Sequence, residues 1–335
     1  MTDAQKKENR VLRKIHAEIL IHAATERVFR AWTDSNELSR WFSEHADVSL
    51  DENRYQFWGR YQPDAPSRNS LQQELLAVEP DTRLRFAWRV YDAGSTVEMT
   101  LEPRGALTFV SVGHEWLPES DATMQAAMLE AFWSLSLENL RAWVERGVVG
   151  ARNDFTTKPL EQVQLEVDIN ADPEAVFQAL VDPDQLDRYI ASGATVQPEV
   201  GGLYDFGWAE HAPMKILELE PNRRLSHTWS YEGDDHARDT IVTWTLDGGN
   251  GKTRLTLVHS GFAPERGSGD YQIGWLDFLN RIKFMVEVGS EWVKPNSYGV
   301  HRENEPLDEP VFIPSAGVSQ TAKSTVTEER GRRAL

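Results

Sequence analysis

Residues 21–42 read IHAATERVFRAWTDSNELSRWF, and residues 169–190 read INADPEAVFQALVDPDQLDRYI. The two stretches align end to end at a constant offset of 148 residues. A chain that repeats itself at this length is a tandem duplication, so each feature is sought twice. Within the first stretch, Val28, Ala31 and Trp32 fall on one helical stripe, with Thr25 ahead of them as the expected cap. Asp34-Ser35-Asn36 breaks that helix and opens a second short one. Asp172 and Pro173 start the second copy's helix as cap and first-turn proline. Immediately upstream, Ile15, Ala17, Ile19 and Ile21 alternate with polar residues, and Val163, Leu165, Val167 and Ile169 do the same. Period two is the mark of a strand with one buried face.

Working outward, copy one offers strands near 46–50, 54–61, 71–78, 83–91, 96–101 and 107–113. Turn signals at Glu79-Pro80-Asp81, Asp92-Ala93-Gly94 and Pro103-Arg104-Gly105 separate them. Connections this short fit an antiparallel meander, since parallel crossovers need more chain. A long helix over 121–146 closes the copy, with Gly147 at its end. Copy two repeats the order, with strands near 194–197, 203–208, 214–219, 224–231, 240–246 and 253–260. Asp247-Gly248-Gly249-Asn250-Gly251 is a hairpin turn. The last helix, over 270–292, sets Trp275, Phe278, Leu279, Ile282 and Val286 on one face. The copies also match at AVEPDTRLRFAW (77–88) and ELEPNRRLSHTW (218–229), now at an offset of 141. The expected domains are residues 13–147 and 161–293, joined by a linker at 148–160 and followed by a polar, disordered tail at 294–335 in which VFIP (311–314) could dock. The fold class is α+β: in each copy a curved antiparallel sheet wraps a long C-terminal helix, and a cavity is expected between them.

The phrase from Ala24-Thr25-Glu26-Arg27-Val28-Phe29 through Thr33-Asp34 and Leu38 to Trp41-Phe42 resembles the opening signature of the SRPBCC (START-like, helix-grip) superfamily. In particular it is similar to homologues of the activator of the heat-shock-protein-90 ATPase. Copy two matches through Ala171–Phe177, Val181-Asp182-Pro183, Leu186 and Tyr189, then Gly201-Gly202-Leu203-Tyr204 and the Glu220–Leu225 turn. The resemblance covers about residues 13–146 and 161–292. Copy one departs from the pattern, with Leu50-Asp51-Glu52-Asn53 in place of the Gly-Gly step and Ala24-Thr25 in place of Asp-Pro. If one pocket is degenerate, the first is expected to be. The resemblance implies tandem helix-grip domains and leaves the activity open.

Composition narrows the rest. The 335 residues carry a formal charge of −18, which argues against nucleic acid or an anionic membrane surface as the main partner. There is no cysteine, which excludes disulfides, thiolate catalysis and Cys-ligated zinc. The first residues lack an apolar signal core, and no stretch approaches a membrane span, so a cytoplasmic protein is expected. His114, His227 and His259 fall in or beside strands, but the nine histidines show no metal-ligand spacing; His114-Glu115 continues as Trp116-Leu117-Pro118 rather than as a zinc motif. No nucleophile elbow, Walker loop or dinucleotide fingerprint occurs, and the acid pairs Asp234-Asp235 and Asp182/Asp184 sit in turns. Neither metal nor cofactor is expected.

Twelve tryptophans draw attention to an aromatic set and the apolar residues beside it. In copy two they are Tyr204, Trp208, Trp229 and Trp244 on strands, with His259, and Trp275, Phe278, Leu279 and Ile282 on the helix. Copy one offers Trp58, Trp88, Phe132 and Trp133. These side chains either fill the grip or line a void for a flat apolar molecule, and a one-residue register slip would exchange the inward set for the outward one. Three functions follow: a non-enzymatic protein binding a small hydrophobic molecule, in a stress or regulatory role; a co-chaperone that activates an ATPase through protein contact, implied by the resemblance alone; and a cyclase- or hydratase-like enzyme using the same cavity.

Overall fold

The computed structural model describes residues 12–70, 73–118, 123–157, 161–208, 213–229, 240–262 and 271–302. The expected docking of 311–314, the acid pair at 234–235 and the tail beyond 302 lie outside them. Copy one runs β1 (Arg13–Ile21), α1 (Thr25–Thr33), α2 (Ser35–Trp41), β2 (His45–Ser49), β3 (Arg54–Trp58), β4 (Gln73–Glu79), β5 (Arg83–Val90), β6 (Ala93–Arg104), β7 (Leu107–Trp116) and α3 (Thr123–Arg146). Copy two runs β8 (Val163–Ile169), α4 (Pro173–Val181), α5 (Pro183–Tyr189), β9 (Thr195–Val196), β10 (Leu203–Asp205), β11 (Met214–Glu220), β12 (Arg224–Trp229), β13 (Thr240–Gly249), β14 (Lys252–Ser260) and α6 (Tyr271–Val288). A strand β15 (Asn296–Arg302) follows.

Each copy is an α+β helix-grip fold. The first sheet has the order β15-β1-β7-β6-β5-β4, and the second has β8-β14-β13-β12-β11-β10-β9. The alternation read from β1 holds, with Ile15, Ala17, Ile19 and Ile21 all buried. In copy one the β2–β3 hairpin stands apart from the large sheet, tied to it where Gln73 Nε2 donates to the Phe57 carbonyl at 2.9 Å. Its counterpart in copy two, β9–β10, is hydrogen-bonded into the sheet.

Local signals mislead at four places. Thr25 is the first helical residue rather than the cap, and Ala24 precedes it with no side-chain bond. Asp172 holds the cap position, but its carboxylate accepts Gly251 N–H at 2.7 Å across the β13–β14 turn. The side-chain caps are made one helix later, by Asp34 to Asn36 and Glu37 N–H and by Asp182 to Gln185 N–H. The β5–β6 turn is Tyr91-Asp92, both at positive φ, one residue before the expected position. The largest departure is β15, which lies within the expected disordered tail. It pairs antiparallel with β1, covering an edge that would otherwise expose unpaired backbone groups.

Gly150 and Ala151, in the segment between the copies, are hydrogen-bonded to both long helices. Asn139 Oδ1 accepts Gly150 N–H at 2.6 Å, Asn280 Oδ1 accepts Ala151 N–H at 2.8 Å, and both amides donate to the Ala151 carbonyl. A Cβ on Gly150 would sit 2.4 Å from Asn280 Oδ1, so only glycine allows this approach. The long helices pack on each other, and each enters the other's core: Ile273 and Leu276 join the first cluster, Ala142 the second. Hence α3 is buried nearly all round from Ala126 to Ala142. Its polar residues find partners along the seam. Arg141 Nη2 donates to both Glu138 carboxylate oxygens, at 2.6 and 2.7 Å. Arg281 reaches Asp277 at 2.7 Å, Ser134 Oγ at 2.8 Å and the Tyr189 carbonyl at 3.0 Å. Burial pushes the Glu138 and Asp277 carboxyls up, against the downward pull of Arg141 and Arg281.

Candidate aromatic binding site

The second grip gathers its rings around Trp275. Trp229 lies 4.8 Å from it, Phe278 5.3 Å and Trp244 5.7 Å, all near edge-on. Trp208 extends the cluster, 6.1 Å from Trp229 and 6.3 Å from Phe278, and its indole N–H donates to the Ile190 carbonyl. Tyr204 is deeper; its hydroxyl donates to the Leu180 carbonyl at 2.8 Å. Leu279 and Ile282 are fully buried in the same core. In copy one, Trp88, Phe132 and Trp133 converge likewise, with centroids 5.3–6.3 Å apart. Trp32 and Phe42 pack on Trp133 at 6.3 and 5.8 Å, so the opening stretch contributes to this core directly.

Trp58 does not belong to the set. On β3 the alternation buries Tyr55 and Phe57 and turns Trp58 outward, where it meets His45 at 5.4 Å and the Arg68 guanidinium at 5.4 Å. The expectation that Trp58 faces the core is corrected: in a strand of period two it shares the outward face with Arg54 and Gln56.

Both copies build the same hydrogen-bonded chain from helix to sheet. Trp133 Nε1 donates to His114 Nδ1 at 3.0 Å, so His114 carries its proton on Nε2 and donates to Ser95 Oγ at 2.8 Å. Ser95 in turn donates to the Trp88 carbonyl at 2.6 Å. In copy two, Trp275 donates to His259 at 3.0 Å, His259 to Thr240 Oγ1 at 2.7 Å, and Thr240 to the Trp229 carbonyl at 2.9 Å. A further link exists only in copy two, where Trp244 donates to His227 Nε2 and His227 Nδ1–H donates to the Thr228 carbonyl. Phe86 and Met99 stand at the matching strand positions of copy one. His227 and the hydroxyl–histidine–tryptophan chains were not singled out from the sequence as partners. Ser95…His114 and Thr240…His259 share a spacing of 19 residues, which is the signal that could have found them.

Burial holds His114 and His259 down to about 3 and His227 to about 4. All three are therefore neutral at physiological pH, with both ring nitrogens engaged, and none offers a base to a substrate while these bonds hold. The sign of the acid response follows. An unfolded chain binds these protons below about pH 6.5, whereas the folded chain refuses them until about 3–4. Their contribution to stability is complete above 6.5 and is lost as pH falls through that window, by about 1.4 kcal/mol per pH unit for each histidine. Guanidinium midpoints between pH 7 and 4 should show this slope. It should drop by roughly a third in His227→Phe/Trp244→Met, which installs copy one's own pair; an unchanged slope would show that His227 takes no part.

The rings of both grips are buried: Trp88, Trp133, Trp229 and Trp275 are each at most 3% exposed. The half-buried rings Phe262 and Tyr271 pack on His259 at 4.5 and 4.7 Å, at one end of the second grip. Two cavities of ligand size lie elsewhere. One is an open groove of about 470 Å³ beside Asp172, Asn222 and Asp247, and the other is a crevice of about 330 Å³ between the copies. Among the described residues no cluster of histidine and carboxylate could hold a metal ion. Among them, too, no helix is long and apolar enough to cross a membrane.

The repeated geometry agrees with a family match. The family described as Activator of Hsp90 ATPase homolog 1-like protein matches residues 22–145 and again 170–287. The chain belongs to this family. As a tandem Activator of Hsp90 ATPase homolog 1-like protein, it is similar to several solved structures. The protein MLL2253 from Mesorhizobium loti is 27% identical over 38% of this chain and 98% of its own, with a TM-score of 0.35. An HSP90 activator from Plasmodium falciparum is 20% identical over 38% and 96%, with a TM-score of 0.34. DynU16, a putative protein of the dynemicin biosynthetic locus, is 15% identical over 82% of this chain and 98% of its own, with a TM-score of 0.32. A search of curated proteins found no match.

Proposed function

We propose that the protein is a non-enzymatic binding protein of the cytoplasm, and that its second grip takes up a small apolar molecule among Trp208, Trp229, Trp275 and Phe278. One observation carries this reading: Trp229 and Trp275 meet His259 beside the half-buried Phe262 and Tyr271, while His227 and His259 spend both nitrogens inside the protein. Among the described residues the wall therefore has aromatic faces to offer and no free imidazole, which suits recognition of an apolar body. Tyr204, Trp244, Leu279 and Ile282 back the wall from below. Trp88, Phe132 and Trp133 form the closed equivalent in copy one. Because the rings of the second grip are buried, uptake requires the outer ones to part, and Trp208, the most exposed of the four at 8%, is the one to move.

Native mass spectrometry of the freshly purified chain should show a retained small apolar mass. Titration with the fluorescent probe N-phenyl-1-naphthylamine should saturate, and Trp208→Ala should weaken it about tenfold or more. Undiminished binding in that variant would place the probe elsewhere. No binding at all would transfer the role to the outer surface, where the family's description makes stimulation of a chaperone's ATP turnover the measurement to take.

A further inference from the structure

The crevice between the copies is a different kind of site from the grips. Leu20 and Leu107 from the first sheet, Ala142 from α3, Phe284 and Val288 from α6, and Trp292 beyond it enclose about 330 Å³. That volume lies at the small end of the range for small-molecule sites, and junctions between domains are where such sites concentrate. The floor is apolar. Its inner polar groups are already engaged: Glu138 with Arg141, Arg141 also with the Val293 carbonyl at 2.7 Å, and Arg146 with Glu287 at 3.3 Å. One group is not. Trp292 is 5% exposed, and its indole N–H is buried without an acceptor among the described residues. Leaving such a donor unmade costs on the order of 1–3 kcal/mol, so an acceptor supplied by a ligand would be well rewarded.

We propose that this crevice is a second binding site, for a compact neutral molecule with an apolar ring or branched body and one hydrogen-bond acceptor. Charge argues for neutrality. Three glutamates (Glu138, Glu145 and Glu291) line the crevice against two arginines. Both arginines are engaged within the protein, so an anion would be desolvated against Phe284 and Trp292 with no cation committed to it. A cation would face Glu138, whose oxygens are taken by Arg141. The walls come from both copies, so an occupant braces the pair, and occupancy should raise the thermal midpoint of the whole chain. None of this depends on the grip reading, since the two sites share no residue.

Benzophenone matches the class: it is a neutral diaryl ketone with one carbonyl acceptor, and on irradiation it attaches to neighbouring C–H bonds. Irradiated with the full chain at increasing concentration, it should label crevice residues such as Ala142, Val288 and Trp292 in a saturable way, as read by peptide mapping. Val288→Trp, at a half-buried position on the edge, should fill the space and remove that labelling while leaving any labelling around Trp208 in place. Trp292→Phe keeps an aromatic ring, though a smaller one, and deletes the donor, and should raise the half-saturating concentration about fivefold. Labelling that is absent, that never saturates, that is confined to the grips or that survives Val288→Trp overturns the site. Equal half-saturation in Trp292→Phe overturns the assigned acceptor.

Discussion

Arg281→Ala is expected to lower folding stability by about 3–5 kcal/mol, far more than its position on a helix surface in the sequence would suggest. The guanidinium is 2% exposed and ties three elements together: Asp277 one turn back on α6, Ser134 on α3 and the Tyr189 carbonyl at the end of α5. Removing it leaves the Asp277 carboxylate in the seam with the Ser134 hydroxyl at 3.0 Å and the pull of Lys294 in place of its ion pair. Burial already pushes that carboxyl up, and Arg281 is the main force holding it down. Lys294, which burial holds down to about 8, is also drawn up by Asp277 and pushed down by Arg281. The discriminating variant is the double replacement Arg281→Leu/Asp277→Leu, which leaves no bare charge and should recover most of the loss. Guanidinium midpoints for Arg281→Leu, Asp277→Leu and the double close the cycle. A double variant as unstable as Arg281→Ala would mean that packing, not the stranded charge, sets the cost.

The sequence displayed the architecture because its two strongest signals survive folding unchanged. Alternation on β1 and β8 and the helical stripes of α1 and α4 depend on nearest neighbours, and the duplication let each be checked against the other. What escaped depends on distant contacts. Asp172 has every local mark of a helix cap, yet Gly251, 79 residues away, takes its carboxylate. β15 is short and polar, and only the open edge of β1, near the other end of the chain, makes it a strand. Copy two's corresponding edge strand, β8, pairs with β14 and has no such cover among the described strands, an asymmetry invisible to a comparison of repeats.

The candidate site was legible as a set of ring-bearing positions but not as a geometry. Twelve of the thirteen residues picked out point into the cores. Trp58 fails because a tryptophan beside Phe57 leaves the inward face of a five-residue strand undecided until the strand is placed. Whether the rings enclose a void could not be read either, because that depends on how Trp208, Trp229 and Trp275 interlock, a matter of a few tenths of an ångström. The inter-copy crevice and the Glu138–Arg141 and Asp277–Arg281 pairs had one visible trace: charged residues inside otherwise apolar helices. Such residues are rarely buried without partners, so their presence in α3 and α6 is evidence that a second helix must pack there.

Trp133→Ala should be the most damaging single change in copy one. It removes a ring in contact with Trp32, Phe42, Trp88 and Phe132, for a cost of about 3–5 kcal/mol in lost burial and cavity. It also strands His114 Nδ1, which adds about 1–3 kcal/mol if no water enters. Trp133→Phe narrows the loss to the donor and the volume of the missing ring, since the smaller ring retains part of the contacts. The duplication then supplies an internal control. Trp275 makes the same bond to His259 at the same 3.0 Å, so Trp275→Phe should cost about as much as Trp133→Phe, within roughly 1 kcal/mol. Thermal or denaturant unfolding of the two variants measures this directly. Equal losses mean that the chain from indole to imidazole to hydroxyl to carbonyl is a structural lock kept in both grips. A much smaller loss in Trp275→Phe would mean that the second grip can accommodate an unpaired His259, through water or a mobile ring, and that is the looseness a grip must have if it is to open for an apolar guest.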